Sequence, residues 1–256
     1  VINGLLAQKD APLLCIGVGV PGAVDSTTGY VHHSPYRELS SLALADLLMA
    51  HYHLPVYVGN NGELAALAQF AFGVDADTPS DNLVTVMLTD TAEIGVVLNS
   101  AAYHHGGDIG SLQIRVNQHV ERLEQVLTWP QVCARVELLR AQFGGSDLLQ
   151  EGLTYFHIKY HAKQGDRVAQ MLVDELARDV AQVMAWVVGL LRPDHISLAG
   201  SIVNLGDSFL EDVAQRTAAL IAPELTYRVA FSLAYSGNLS AIGAVAQALK
   251  RELDIV

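Results

Sequence analysis

The sequence predicts an α/β protein built as two lobes with a cleft between them. Three observations carry that expectation. Apolar runs of strand length alternate with segments of helical period along the chain. The alternation comes in two series, separated by the polar, turn-rich residues 74–82 (VDADTPSDN). The length of 256 residues suits one large domain or two lobes of about 100–150 residues each. A hydrophobic content of 51% and a mean hydropathy of +0.28 supply the core.

In the first series, residues 2–9 read as the end of a helix. Residues 13–20 (LLCIGVGV), bounded by Pro12 and Pro21-Gly22, read as a buried strand because the run is short, apolar and β-branched. Residues 25–30 (DSTTGY) carry turn chemistry. Residues 42–53 have helical spacing, with Leu44, Leu47 and Leu48 on one face. Residues 55–58 are a second strand. Residues 62–72 are a helix of strong formers closed by Gly73, a good left-handed stop.

The second series opens with apolar runs at 83–88 and 94–98, split by polar 89–93, which read as a β-hairpin. Residues 120–143 read as mostly helical, with Pro130 starting a new helix. Residues 167–191 read as a long buried helix stopped at Arg192-Pro193. A strand at 196–199, a helix at 207–221, a strand at 227–234 and a closing helix at 239–253 complete it.

Charge and cysteine usage exclude several classes. Fifteen basic against 27 acidic residues give −12 and a pI near 5.1, a surface that repels phosphate backbones and anionic membranes. Two cysteines, Cys15 and Cys133, form neither a disulfide framework nor a four-thiolate zinc site, and suit a reducing compartment. The longest uncharged apolar run of helical character, 183–191, is far short of the ~20 residues of a membrane span. No signal peptide pattern leads the chain, so the expected location is cytoplasmic. A first residue of Val rather than Met carries the expectation of missing upstream sequence.

Several motifs carry candidate chemistry. Residues 17–22 (GVGVPG) match G-x-G-x-x-G after a strand, but turn sequence follows where a dinucleotide fingerprint needs a helix. His157 and His161 have i,i+4 spacing, yet a zinc site needs a third ligand. Asn60-Asn61 stand at the carboxyl end of a strand and before a helix. Two carboxamides there can donate to and accept from sugar hydroxyls, or serve as a helix cap and a turn residue.

Taken in order, residues 16–25 (IGVGVPGAVD), 54–66 (LPVYVGNNGELAA), 84–110, 192–200 (RPDHISLAG) and 237–249 (GNLSAIGAVAQAL) resemble the ROK family of sugar-responsive repressors and sugar kinases. The likeness is nearest to its NagC/XylR-type transcriptional regulators and covers almost the whole chain. It implies the two-lobed hexokinase/actin-like fold, with sugar in the interlobe cleft and, in the kinases, ATP beside it. The lobes expected are 1–80 plus 241–256, lacking its first strands, and 81–240.

The departures from the family bear on function. Its E-N-D-A-N-A-A stretch, whose Asp is the catalytic base, reads Gly59-Asn60-Asn61-Gly62-Glu63-Leu64-Ala65 here, so the base position is Asn61. Its phosphate hairpin G-T-G-I-G-A-G reads Thr89-Asp90-Thr91-Ala92-Glu93-Ile94-Gly95, with Asp90 and Glu93 placing negative charge where phosphates would sit. A late glycine pair near the adenosine reads Gly200-Ser201. Its G-E-x-G-H reads Gly107-Asp108-Ile109-Gly110-Ser111, which keeps an acid and loses the His. The cysteine-rich zinc loop and the upstream D-x-G-G-T loop have no counterpart.

The resemblance therefore implies the sugar-sensing effector region of a catalytically inactive ROK-type transcriptional regulator. The alternatives are an ATP-dependent sugar kinase with an aberrant site, or an interaction module that binds no sugar. Gly22, Asn60, Asn61, Asp108 and Ser111 are expected to face a small sugar or sugar phosphate. Neither a catalytic residue, a metal ligand nor a cofactor is expected. A homodimer is expected, with DNA contacted only through an upstream domain outside this chain, and no membrane.

Overall fold

The computed structural model describes Gly4 and residues 13–73, 80–104, 107–116, 119–148, 152–226 and 228–254. Apart from Gly4, the expected helix at 2–9 lies outside the described residues, as does most of the 74–82 connection.

The amino-terminal part holds strands β1 (Ile16–Val20), β2 (Ala23–Asp25), β3 (Tyr30–His33), β4 (Leu42–Ala43) and β5 (Val56–Asn60), with helices α1 (Leu44–Tyr52) and α2 (Asn61–Phe72). β1 and β5 pair in parallel, and the register sets Val20 opposite Asn60. β2, β3 and β4 form a separate antiparallel sheet in that order. Val20, Val24, Val31, Ala45, Val56 and Val58 make one small core across both. The strand expected at 55–58 thus runs on to Asn60, which brings the first of the two asparagines to its end.

The second part is a five-stranded sheet with a helical layer. Its strands are β6 (Leu83–Leu88), β7 (Ala92–Leu98), β8 (Ala101–Tyr103), β11 (His195–Ala199) and β12 (Ala230–Ala234), ordered β12-β11-β6-β7-β8. Between β8 and β11 come the hairpin β9 (Gln113–Val116) and β10 (His119–Arg122), then helices α3 (Trp129–Phe143), α4 (Tyr155–Lys163) and α5 (Arg167–Leu191). The helices α6 (Asp207–Leu220), α7 (Pro223–Thr226) and α8 (Leu239–Leu253) follow. The main core runs from Val84, Val86 and Leu88 on the sheet to Leu172, Leu176, Val180 and Met184 on α5.

The helix expected from residue 120 is a correction. Residues 119–122 are a strand paired to 113–116, Leu123–Gln125 is a 3₁₀ turn, and the helix begins at Trp129. Helix formers such as Glu121, Arg122 and Leu123 lost to the hairpin ladder, since tertiary pairing overrides a weak local preference. Pro130 occupies the first turn of α3, as its missing N–H favours. The 167–191 helix stands as expected, with Arg192 as its left-handed cap ahead of Pro193.

α2 holds the parts together. Residues 62–69 are buried all round, so this helix is an interior strut rather than a half-wet one. Gln69 on α2 donates to Ser197 Oγ on β11 (2.8 Å) and accepts from Thr85 Oγ1 on β6 (2.5 Å), closing a buried polar bridge to the large sheet. On the other side α8 crosses so closely that a Cβ at Gly243 would sit 1.8 Å from the Leu64 carbonyl oxygen.

Candidate functional site

Three chain segments converge at the carboxyl end of the β1–β5 pair. The first is the turn after β1. Gly22 there has φ of +105°, and a Cβ would meet the His33 carbonyl oxygen at 2.1 Å, so only glycine fits. The second is the end of β5, where Asn60 caps α2. The third is the β6–β7 hairpin, which carries Glu93.

Their polar groups lock together. Asn60 Oδ1 accepts from the backbone N–H groups of Gly62 (2.8 Å) and Glu63 (3.1 Å), an N-cap. Asn60 Nδ2 donates to the Gly22 carbonyl (2.8 Å) and to Glu93 Oε1 (2.8 Å). The Gly22 N–H donates to the same Oε1 at 3.0 Å, and Thr91 Oγ1 donates to Glu93 Oε2 at 3.2 Å. A carboxamide offers two donors and two lone pairs, and all four of Asn60's are used. Asn60, expected to bond a sugar hydroxyl, is buried behind the cleft wall with these four bonds made inside the protein.

Glu93 is 1% exposed. Burial pushes its carboxyl up to about 7; the donors Gly22 N–H, Asn60 and Thr91 oppose that rise, and the nearby charge of Asp108 adds to it. Nothing in the spacing of the sequence singles out Glu93 as a hub. Its sign as a charge is legible, but three donors converging on it from residues 22, 60 and 91 are visible only in the fold.

In front of Glu93 lies a cleft of about 290 Å³. Gly22 and Asp108 line it, with Glu93, Asp90, Glu124 and Thr128 among the other walls. Asp108 is bridged to the hairpin, with the Ile94 N–H donating to the Gly107 carbonyl at 2.8 Å. Its Oδ1 accepts from the Gly110 N–H (2.9 Å), and its Oδ2 lies 3.9 Å from His33 Nδ1. Ser111 is exposed and outside the lining. Asn61, half-buried in the first turn of α2, is also outside it, and its Oδ1 lies over Gly19. Of the five expected contact residues the cleft therefore collects Gly22 and Asp108.

The hairpin tip is closed by its own side chains. The Thr89 N–H donates to the Thr91 carbonyl (2.9 Å), and the Thr91 N–H to Thr89 Oγ1 (3.3 Å). A second cavity of about 380 Å³ adjoins the tip, walled by Thr89, Asp90, Trp129, Tyr155, Ser201 and Asn204 among others. Trp129 and Tyr155 pack ring to ring there, 4.6 Å between centroids. Among the described residues no group of three or more His, Cys, Asp or Glu side chains is placed to hold a metal. His157 instead faces Thr154 Oγ1, and His161 packs on Tyr160. No described helix is long and apolar enough to cross a membrane.

Comparison with known proteins follows the same lines. The profile of the ROK family matches residues 2–251. The DNA-binding transcriptional dual regulator NagC of Escherichia coli K12 is 27% identical over 207 residues, 77% of this chain and 50% of its own length. A glucokinase of Halalkalibacterium halodurans is 24% identical over 256 residues, 90% of this chain and 74% of its own. The chain thus spans about half the length of that regulator. Among solved structures, a ROK family transcriptional regulator homologous to E. coli Mlc superposes with a TM-score of 0.81 at 24% identity, covering 96% of this chain and 64% of that one. A Streptomyces griseus ROK glucokinase, solved with glucose and AMPPNP, superposes at 0.79 with 20% identity over 95% of this chain and 85% of that one. The fold is the actin-like hexokinase fold of those proteins.

Proposed function

The chain belongs to the ROK family, and from that premise we propose that it is the sugar-sensing part of a ROK-type regulator rather than a sugar kinase. The observation that carries the reading is Glu93. The resemblance puts a glycine phosphate cradle at this hairpin. Here a buried carboxylate takes the Gly22 N–H at 3.0 Å and the Asn60 amide at 2.8 Å. Thr89 and Thr91 also bond each other across the tip. Phosphoryl transfer depends on positioning and on neutralising charge around the γ-phosphate, and this hairpin supplies charge of the wrong sign. Asn61, at the position of the family's base, cannot take a proton at neutral pH.

The cleft is the seat for one sugar ring in this reading. Its 290 Å³ lies at the lower end of small-ligand sites, about 300 Å³. Asp108 keeps an acid where the family's Glu contacts sugar. Residues 1–80 with 241–256 and residues 81–240 are proposed as the lobes. α8 packs against α2 and β1, which supports placing the chain's last helix with the first lobe. The proposed assembly is a cytoplasmic homodimer whose DNA-binding segment lies outside these 256 residues.

The experiment is a thermal-shift screen against unphosphorylated hexoses and hexosamines. A ligand at 100 times its Kd stabilises by about 2.7 kcal/mol. Such a shift, lost in Asp108→Ala, is the expected result. The absence of any shift across the panel overturns the sensor reading in favour of a module that binds no sugar.

A further inference from the structure

We propose that the cleft in front of Glu93 and Asp108 takes a sugar bearing a protonated amine and rejects sugar phosphates. The inference rests on the reading of this cleft as the sugar site. Four carboxylates line it, those of Asp90, Glu93, Asp108 and Glu124, and neither Lys nor Arg is among the lining residues. The imidazole of His33, largely exposed, is the single basic side chain in the wall.

The four acids are not equivalent. Glu93 already accepts three hydrogen bonds, and Glu124 is paired with the Arg122 guanidinium at 3.2 Å. Asp90 stands exposed at the hairpin tip. Asp108 has its Oδ1 committed to the Gly110 N–H, while its Oδ2 accepts no hydrogen bond from a described residue. That oxygen, with His33 Nδ1 at 3.9 Å, is the open acceptor on the least exposed of the cleft's uncommitted carboxylates. An ammonium brings three donors and a positive charge, and so suits both the open oxygen and the acidic surroundings.

A phosphate would need a cation or free N–H groups, and the one helix start at the cleft supplies none. α3 begins beside Thr128 and Gln131, where its dipole alone would attract an anion. Its first N–H groups are spent: Trp129 donates to the Thr89 carbonyl (2.8 Å), and Gln131 and Val132 both donate to the Thr128 carbonyl at 3.0 Å. Pro130 has no N–H to offer. A neutral N-acetyl group would satisfy the volume but not the charge.

Calorimetric titration at pH 7.0 tests this, with glucosamine and mannosamine, their N-acetyl derivatives and their 6-phosphates as probes. The free amines are expected to bind at least tenfold more tightly than the N-acetyl sugars and at least a hundredfold more tightly than the 6-phosphates. In Asp108→Asn the preference for amine over N-acetyl sugar falls below threefold. Salt supplies a readout independent of any variant: raising NaCl from about 0.05 to about 0.5 M weakens the amine and leaves the N-acetyl sugar unchanged. Equal or tighter binding of the N-acetyl sugars or the 6-phosphates overturns the inference and leaves the sugar-site reading intact. A preference that survives Asp108→Asn, or that ignores salt, also overturns it. Failure of every probe and of neutral hexoses overturns both.

Discussion

Gly243→Ala is expected to destabilise the protein by more than about 3 kcal/mol, and Gly243→Val to abolish the cooperative fold. The reason is that a Cβ at residue 243 would stand 1.8 Å from the Leu64 carbonyl oxygen, 2.4 Å from its carbon and 2.8 Å from Leu64 Cα. These are backbone atoms of α2, the buried strut, and a rotamer change cannot clear them. α2 cannot retreat either, because on its opposite side a Cβ at Gly95 would already meet the Gly62 carbonyl at 2.0 Å. The helix is confined between β7 and α8 at backbone distance. Gly237→Ala serves as the control, since nothing lies within 4 Å of its Cβ position; its effect should stay within about 0.5 kcal/mol. Urea denaturation of the three variants reads the difference. A Gly243→Ala protein as stable as the control would show that α8 does not pack as described.

The second large effect concerns Glu93→Gln and runs with pH. The carboxyl of Glu93 moves from an ordinary 4.5 to about 7 on folding, chiefly through burial. A folded value raised above the unfolded one means that the native state holds the proton more tightly. Glu93's contribution to stability is therefore fully present below pH 4.5 and is lost as pH rises to about 7, by an order of 3 kcal/mol over that window. Gln keeps the Oε1 acceptor for the Gly22 N–H and Asn60, and can donate to Thr91 Oγ1 in place of the carboxylate oxygen. The variant should match the parent near pH 5 and exceed it by about 1–3 kcal/mol at pH 8. Melting curves at both values test this. A variant weaker than the parent at pH 8 would mean that Glu93 is stabilised as the anion.

Much of the fold was legible from period and punctuation. The helices at 167–191 and 239–253 carry long amphipathic patterns with identifiable stops, and the 83–98 hairpin shows two apolar runs around a polar tip. The short strands β2, β3 and β4 were not legible, because two to four residues carry no measurable alternation and their pairing comes from packing on Val24, Val31 and Ala45. The stretch 120–128 misled for a related reason: the helix formers at 120–122 were outweighed by pairing with 113–116, and a 3₁₀ turn at Leu123–Gln125 follows. At the site, the sequence presented Asn60 and Asn61 as equals. The fold separates them, since the residue ending β5 turns its amide inward as a cap while its neighbour starts the helix and leaves the cleft wall. Gly22 and Asp108, which line the cleft, were picked out by the resemblance, as the glycine closing GVGVPG and the acid matching G-E-x-G-H. Glu93 as a hub was not, because its partners lie 71 and 33 residues away in the chain.

The central claim is that this cleft holds a sugar without phosphorylating it. A general base contributes about 10²–10⁴-fold to such a step, and Asn61 cannot act as one. The closed, acidic hairpin impairs the phosphate side of the same step, so Asn61→Asp alone should not restore turnover. The most direct measurement is ADP release in the presence of Mg-ATP and a panel of hexoses and hexosamines, on the parent chain, on Asn61→Asp and on a form extended to the length of its regulator relatives. The account predicts that no sugar raises ADP release above the sugar-free rate in any of the three. Sugar-dependent turnover near 1 s⁻¹, an ordinary lower value for enzymes, in any of the three would contradict it and identify the protein as a sugar kinase.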